Sequence, residues 1–372
     1  MAEIDTLAGL VLPESLGLRR NHVVAARYRP EGYEARYDFR TLAYDAVFLP
    51  RDGKIRIFCP KLANFEALFR NGLRLDGAPV RKLRIRREER FDIVEIAAPS
   101  GAAELTVTTG NWQGNLAITP TDPAPFAGTN CLMTLSRNND LRWIRDWAEF
   151  HVREQGADAV LFFDNGSTAY TPADIDATLR SVPGLACVQV VSADFPFGPA
   201  GIKPHKFDAN FLQRALLNLG PTRYLAEARA VLVCDLDELI WRGGDTSIFD
   251  ATQKTRAGYM RIPGTWRFPR TDAGARVRHA DHVLIDPSRS PCPPKYCIAP
   301  QGRLRGHVWA THCVTGLVWQ SRHTATEVGF LHCQGISDFW KGRPMEAANR
   351  PLRPDPFAAR VLERSLGATG SD

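Results

Sequence analysis

The chain has 372 residues, 44% hydrophobic and 24% charged, with a net charge of +6; this suits one large or two ordinary globular domains and excludes a disordered or fibrous chain. No apolar run reaches the roughly eighteen residues of a membrane span, and Met1-Ala2-Glu3-Ile4-Asp5 carries acids where a secretory leader carries Lys or Arg, so the expected location is the cytoplasm. Eight cysteines scattered without paired spacings read as reduced thiols.

Residues 1–125 read as a small β-rich domain. Short segments such as Ala46-Val47-Phe48-Leu49, Lys54-Ile55-Arg56-Ile57-Phe58 and Phe91-Asp92-Ile93-Val94-Glu95-Ile96 are broken by turn residues, and Arg51-Asp52-Gly53-Lys54 marks a hairpin. The run Arg81-Lys82-Leu83-Arg84-Ile85-Arg86-Arg87 alternates basic and apolar residues, the pattern of a half-exposed strand with a solvated basic face. A phosphate-rich partner or a peripheral contact with an anionic membrane surface is the alternative for that face. The Pro/Gly-rich stretch from Thr119 to Gly128 reads as a linker.

From about 126 to 372 a second domain is expected, and from Asn130 strands alternate with helices, which implies an α/β domain on a mostly parallel, Rossmann-like sheet. Cys131–Leu135, Ala159–Phe163, Cys187–Val191 and Ala230–Val233 are the expected strands. Helices fall between them: Leu141, Ile144, Ala148 and His151 at helical spacing with Gly156 as stop, a Thr171-capped helix, and a third with Phe207, Phe211, Leu212, Ala215 and Leu219 on one face. Later, Gly258–Pro263 and Asp281–Ile285 look like strands, and the Arg/His-rich tail from Cys292 onward reads as mostly loop.

The stretch Ala230-Val231-Leu232-Val233-Cys234-Asp235-Leu236-Asp237-Glu238 runs a buried strand into three carboxylates. Such a strand delivers acids to the carboxyl edge of the sheet, where open α/β folds bind ligands, and Asp164 ends another strand on that edge. In extended chain Asp235 and Asp237 point to one face and can share a hard divalent cation; a solvated acidic turn is the alternative.

Several blocks then match one family in order. Arg137-Asn138-Asn139-Asp140 stands at a Lys-Asn-Glu position, Trp147 and His151 at a Trp-x-x-x-His, and Asp164, Asn165 and Ser167 at an Asp-Asn-x-Ser-x-Asp turn in which Ala169 replaces the last acid. Asp235-Leu236-Asp237-Glu238-Leu239 matches Asp-x-Asp-Glu, and Lys295, Ile298 and Pro300 match Lys-x-Ile-x-x-Pro. His332 with Ser337, Phe339 and Lys341 matches a block near the end of the domain. Over about 130–345 the chain resembles bacterial family-2-like glycosyltransferases of the GT-A fold, and looks closest to the family 92 relatives.

The resemblance implies a nucleotide-sugar donor such as a UDP-hexose, a glycan or glycoconjugate acceptor in surface polysaccharide assembly, and Mn2+ or Mg2+ as cofactor. No nucleic-acid partner is expected, and the oligomeric state is not readable. Asp235 and Asp237 are the implied metal ligands, with His332 the first choice for a late histidine and His312 and His307 next. Asn138, Asp164, Asn165, Ser167 and Asp235 face the donor; Lys203, His205 and Lys206 meet its diphosphate or form a solvated basic turn. Glu238 orients the metal site or contacts the sugar. Asp272 and Asp281 are candidate bases for an inverting transfer, and Trp266 stacks on a sugar or belongs to the core. Two other readings compete: a haloacid-dehalogenase-like phosphatase, and an interaction module with zinc held among Cys292, Cys297, His307, His312 and Cys313.

Overall fold

The computed structural model describes residues 4–270, 276–337 and 351–367. Its contacts divide the chain into two units: Thr6–Pro123 with Ser192–Tyr224, and Met1–Asp5 with Ala124–Val191 and Leu225–Asp372.

In the first unit one sheet orders its strands Ile118–Pro120, Asp45–Leu49, Lys54–Cys59, Asp92–Ala97, Leu83–Arg87. The expected hairpin is present: Asp45–Leu49 pairs antiparallel with Lys54–Cys59, and Gly53 takes the left-handed conformation its turn requires. The basic run forms the edge strand Leu83–Arg87, half-exposed as its alternation implies. The helix expected before the Asp-x-Asp strand lies in this unit. It spans Phe211–Arg223 and packs on Asp45–Leu49 and Lys54–Cys59. It starts after Phe207, which is exposed. At its far end Arg223 meets the fully buried Asp45 at 2.8 Å, a charge pair that Thr119 Oγ also satisfies.

The second unit is α/β. Asn130–Ser136 lies between Ala159–Asp164 and Ala230–Val233, parallel to both, with Cys187–Ser192 outside Ala159–Asp164. The helix Leu141–Gln155 covers this half. Asp140 caps its start by accepting the Arg142 N–H, left-handed Gly156 stops it, and Ile144, Trp147, Ala148, Phe150 and His151 are its buried face. Trp147 is fully buried, and truncating such a side chain costs about 3–5 kcal/mol. Thr171 caps the next helix, Pro172–Arg180, through a reciprocal bond with Asp174.

Beyond Ala230–Val233 the sheet reverses direction. Cys292–Ile298 runs antiparallel to Ala230–Val233 and to Tyr259–Arg267; Val328–Cys333 runs parallel to Tyr259–Arg267 and antiparallel to Glu238–Arg242. The stretch from Cys292 onward is therefore not mostly loop: it supplies two inner strands and the helix Pro356–Leu366. Prolines hide this from periodicity. Pro263 sits where the pairing slips between Ile262 and Gly264, a bulge that tolerates a missing N–H, and Pro293 and Pro294 enter Cys292–Ile298 before its regular pairing with the Asp-x-Asp strand. The strand expected over Asp281–Ile285 is reduced to Leu284–Ile285. All eight cysteines are free thiols, and no described helix is long and apolar enough to cross a membrane.

Candidate functional site

The strand Ala230–Val233 ends at the carboxyl edge, and the chain then turns, with the Glu238 N–H donating to the Asp235 carbonyl at 3.1 Å, before Glu238–Arg242 begins. Because 235–237 is a turn and not extended chain, the two aspartates do not share one direction. Asp237 points to His332, whose Nε2 lies 3.2 Å from Asp237 Oδ2. Asp235 accepts from Lys295 Nζ at 2.8 Å. Lys295 also lies 3.0 Å from Glu238 Oε2, and that same oxygen accepts the Asp235 N–H at 2.9 Å.

The result is a buried cluster in which ligand atoms of Asp237, Glu238 and His332 all lie within 4.8 Å of one another. Among the described residues it is the one such His/Cys/Asp/Glu group. Pairing puts it together: Glu238 stands opposite His332 in the antiparallel register of the two strands. Burial works to lower the His332 pKa, but the Asp237 and Glu238 carboxylates overcome it and hold it at about 10. Burial raises the Glu238 carboxyl, with Lys295 opposing. Lys295 is 1% exposed, and there too the pull of Asp235 and Glu238 outweighs burial and raises the pKa. Two carboxylates and one imidazole make an O/O/N donor set that fits a divalent cation.

Two histidines from elsewhere clamp this turn. Buried His151 receives the Ile240 N–H on Nε2 at 3.2 Å, so its proton is on Nδ1, which donates to the Trp147 carbonyl at 2.8 Å. Burial lowers its pKa to about 4, which keeps that neutral tautomer. The Trp-x-x-x-His block is thus a strut that fixes Glu238–Arg242 to the helix. His279 Nε2 donates to the carbonyl of Leu236, between the aspartates, at 2.8 Å, and Asp146 stands 3.9 Å behind its other nitrogen.

Two strands away, Asp164 ends its strand on the same edge, about 10 Å across the sheet. Its carboxylate accepts from Ser167 Oγ at 2.5 Å and from the Ser167 N–H at 3.2 Å. Asn138, left-handed at φ 54°, donates its N–H to Ser167 Oγ and accepts the Thr168 and Ala169 N–H groups on Oδ1. The Asn165 N–H donates to Ser136, so Asn138, Asp164, Asn165 and Ser167 knit two edge loops into one platform.

No family model and no curated protein matches the chain. Among solved structures, the galactosyltransferase LgtC in complex with donor and acceptor sugar analogs aligns over 65% of this chain and 97% of its own, at 14% identity and a TM-score of 0.31. An active-site mutant of LgtC aligns over the same shares at 13% identity and 0.32. Likenesses this distant carry no residue roles across.

The remaining expected residues make other contacts. His312 Nδ1 bonds the Pro294 carbonyl at 3.1 Å, and the charges of Lys295, Asp235 and His332 act on its ring, so it borders the cluster without belonging to the ligand group; His307 bonds the Thr315 carbonyl. Lys203, His205 and Lys206 lie in the first unit, where His205 pairs with Asp208 and Lys206 lies over Phe207. Asp281 accepts the Arg278 N–H and closes a turn. Asp272, Phe339 and Lys341 lie outside the described residues. Trp266 stacks on His332 at 4.0 Å between centroids and carries the Arg289 guanidinium 3.8 Å from its own centroid. Two groups that close must occupy opposite faces, so Trp266 has no face left for a sugar; it braces His332 instead. The five residues of the zinc reading do not come together as a metal-binding group among the described residues.

Sequence reasoning missed the partnership of Lys295 with Asp235 and Glu238 and the support from His279 and Arg289. Lys295 carried one signal, its place in a matched block; His279 and Arg289 carried none.

Proposed function

We propose that the chain is a metal-dependent glycosyltransferase with a GT-A-type catalytic unit, related to the family-2-like and family 92 enzymes. It moves a sugar from a nucleotide-sugar donor, a UDP-hexose, to a glycan or glycoconjugate acceptor in surface polysaccharide assembly on the cytoplasmic side. The observation that carries this reading is the buried Asp237–Glu238–His332 cluster at the carboxyl edge of the parallel strands, beside the loop platform of Asn138 and Asp164.

A bound Mn2+ or Mg2+ there supplies a Lewis acid that neutralises a leaving diphosphate. Asp237, Glu238 and His332 would hold it, and the imidazole favours Mn2+ over the harder Mg2+. Lys295 bridges Glu238 and Asp235 and offsets their mutual repulsion, so that their charges do not push the turn open. Asp164 and Asn138 offer a rigid edge where a nucleoside can dock.

The test is a panel of nucleotide sugars assayed for hydrolysis and transfer with and without Mn2+. The expected result is metal-dependent turnover of a UDP-sugar that Asp237→Ala abolishes. Full transfer by Asp237→Ala, or no binding of any nucleotide sugar, refutes it.

A further inference from the structure

The largest apolar exposures in the described chain are Val318 at 73% and Trp319 at 68%, side by side on one turn. Most of both side chains stays in solvent, and Trp319 stands at φ 58°, a left-handed conformation rare for a bulky residue. Their surface is stabilised only if something outside the chain covers it.

The surroundings say what kind of surface that is. Between Asp286 and Glu327 the sequence holds no carboxylate at all, while its exposed arginines there are Arg303, Arg305 and Arg322. Arg303, Arg305 and Arg322 are exposed, and among the described residues none of them pairs with a carboxylate. Arg322 lies 4.8 Å from the Trp319 ring centroid. The pieces form one loop cluster. Val308 and Thr315 close a hairpin, His307 ties the Arg303–Arg305 turn to it through the Thr315 carbonyl, and Gln320 ties the Val318–Trp319 turn to it through the Val314 carbonyl.

We propose that this loop cluster docks the protein on an anionic lipid bilayer, with Val318 and Trp319 entering the headgroup boundary and Arg303, Arg305 and Arg322 lying on the lipid phosphates. A tryptophan beside an aliphatic side chain, with Arg322 at its ring and two more exposed arginines on the tied turn of a stretch that holds no acid, is the composition that suits that boundary. A soluble polyanion would use the arginines and leave Val318 exposed. No part of the docking uses the Asp237 cluster, so it stands or falls apart from the sugar-transfer reading.

The experiment is flotation of the full chain with vesicles of phosphatidylcholine alone and with added phosphatidylglycerol, without nucleotide sugar. The wild type is expected to float with the anionic vesicles only. Arg303→Gln with Arg305→Gln should lower the partition about 25-fold, roughly fivefold per cation, and Val318→Ser with Trp319→Ser about tenfold or more. All variants should keep the wild-type thermal midpoint. No flotation of the wild type, equal flotation with neutral vesicles, or a serine double variant that floats as well as the wild type overturns the proposal. The last result, with a soluble polyphosphate competing fully, would mark the loops as a polyanion site.

Discussion

Lys295→Met keeps an unbranched side chain of similar length and removes the ammonium that Asp235 and Glu238 share. Nζ lies 2.8 Å from one carboxylate and 3.0 Å from the other, so the two oxygens stand no more than about 6 Å apart. At an effective dielectric of about 20, two unit charges at that distance repel by about 3 kcal/mol. Removing one partner of a buried pair typically costs about 3–5 kcal/mol; these are two views of one loss, and with Asp235 24% exposed the lower end applies. Urea unfolding in EDTA, followed by tryptophan fluorescence, should therefore show about 3 kcal/mol lost. Adding Glu238→Gln takes away one of the opposed charges and should restore at least about 1.5 kcal/mol. A loss below about 1 kcal/mol in the single variant, or simple additivity in the double, would mean that water and not Lys295 keeps these carboxylates together.

Titration calorimetry with Mn2+ should show that His332→Ala weakens binding by about 100-fold or more, and Asp235→Asn by no more than about tenfold, because Asp235 lies against Lys295 and outside the cluster. Equal losses would put Asp235 among the ligands. His151→Leu leaves the buried Ile240 N–H without its acceptor and should cost about 1–3 kcal/mol in urea unfolding; an unchanged midpoint would deny the strut. Arg364 binds the buried Glu154 through two nitrogens, with Ser365 adding a third bond. Burial works to raise the Glu154 carboxyl, but these bonds hold it below its ordinary value. That contribution is complete above the unfolded pKa of about 4.3 and is lost as pH falls through the lower folded value. Arg364→Ala, discounted because Arg364 is 51% exposed, should lower stability by about 1 kcal/mol at pH 7. The gap should shrink toward pH 3, and one that stays constant with pH would exclude Glu154 as its source.

What could be read from the sequence was local. The Leu141–Gln155 helix announces itself by spacing and by Asp140 and Gly156 at its ends, and each parallel strand is a short apolar run with no proline. The Asp-x-Asp edge and Asp164 beside it follow from strand order alone. Legibility failed where pairing is distant. Lys295 reaches Asp235 across 60 residues, and nothing near either predicts the other. His279 serves a backbone carbonyl, which leaves no partner type to search for. Asp235 is a different case: the expected extended chain gives way to a turn after the strand, and one turned residue sends a carboxylate to a new neighbour.

Asp237 and His332 are 95 residues apart in sequence, and Glu238 meets His332 only through the pairing of Glu238–Arg242 with Val328–Cys333. Closing so long a loop is entropically costlier than pairing neighbouring segments, which disfavours it as an early folding step. As the chain is synthesised, the acidic turn emerges well before its histidine, with no complete cation site to offer. The Asp237–Glu238–His332 cluster is complete only with the last strand of the sheet, so on the metal-dependent reading proposed above, cation binding would report completed topology.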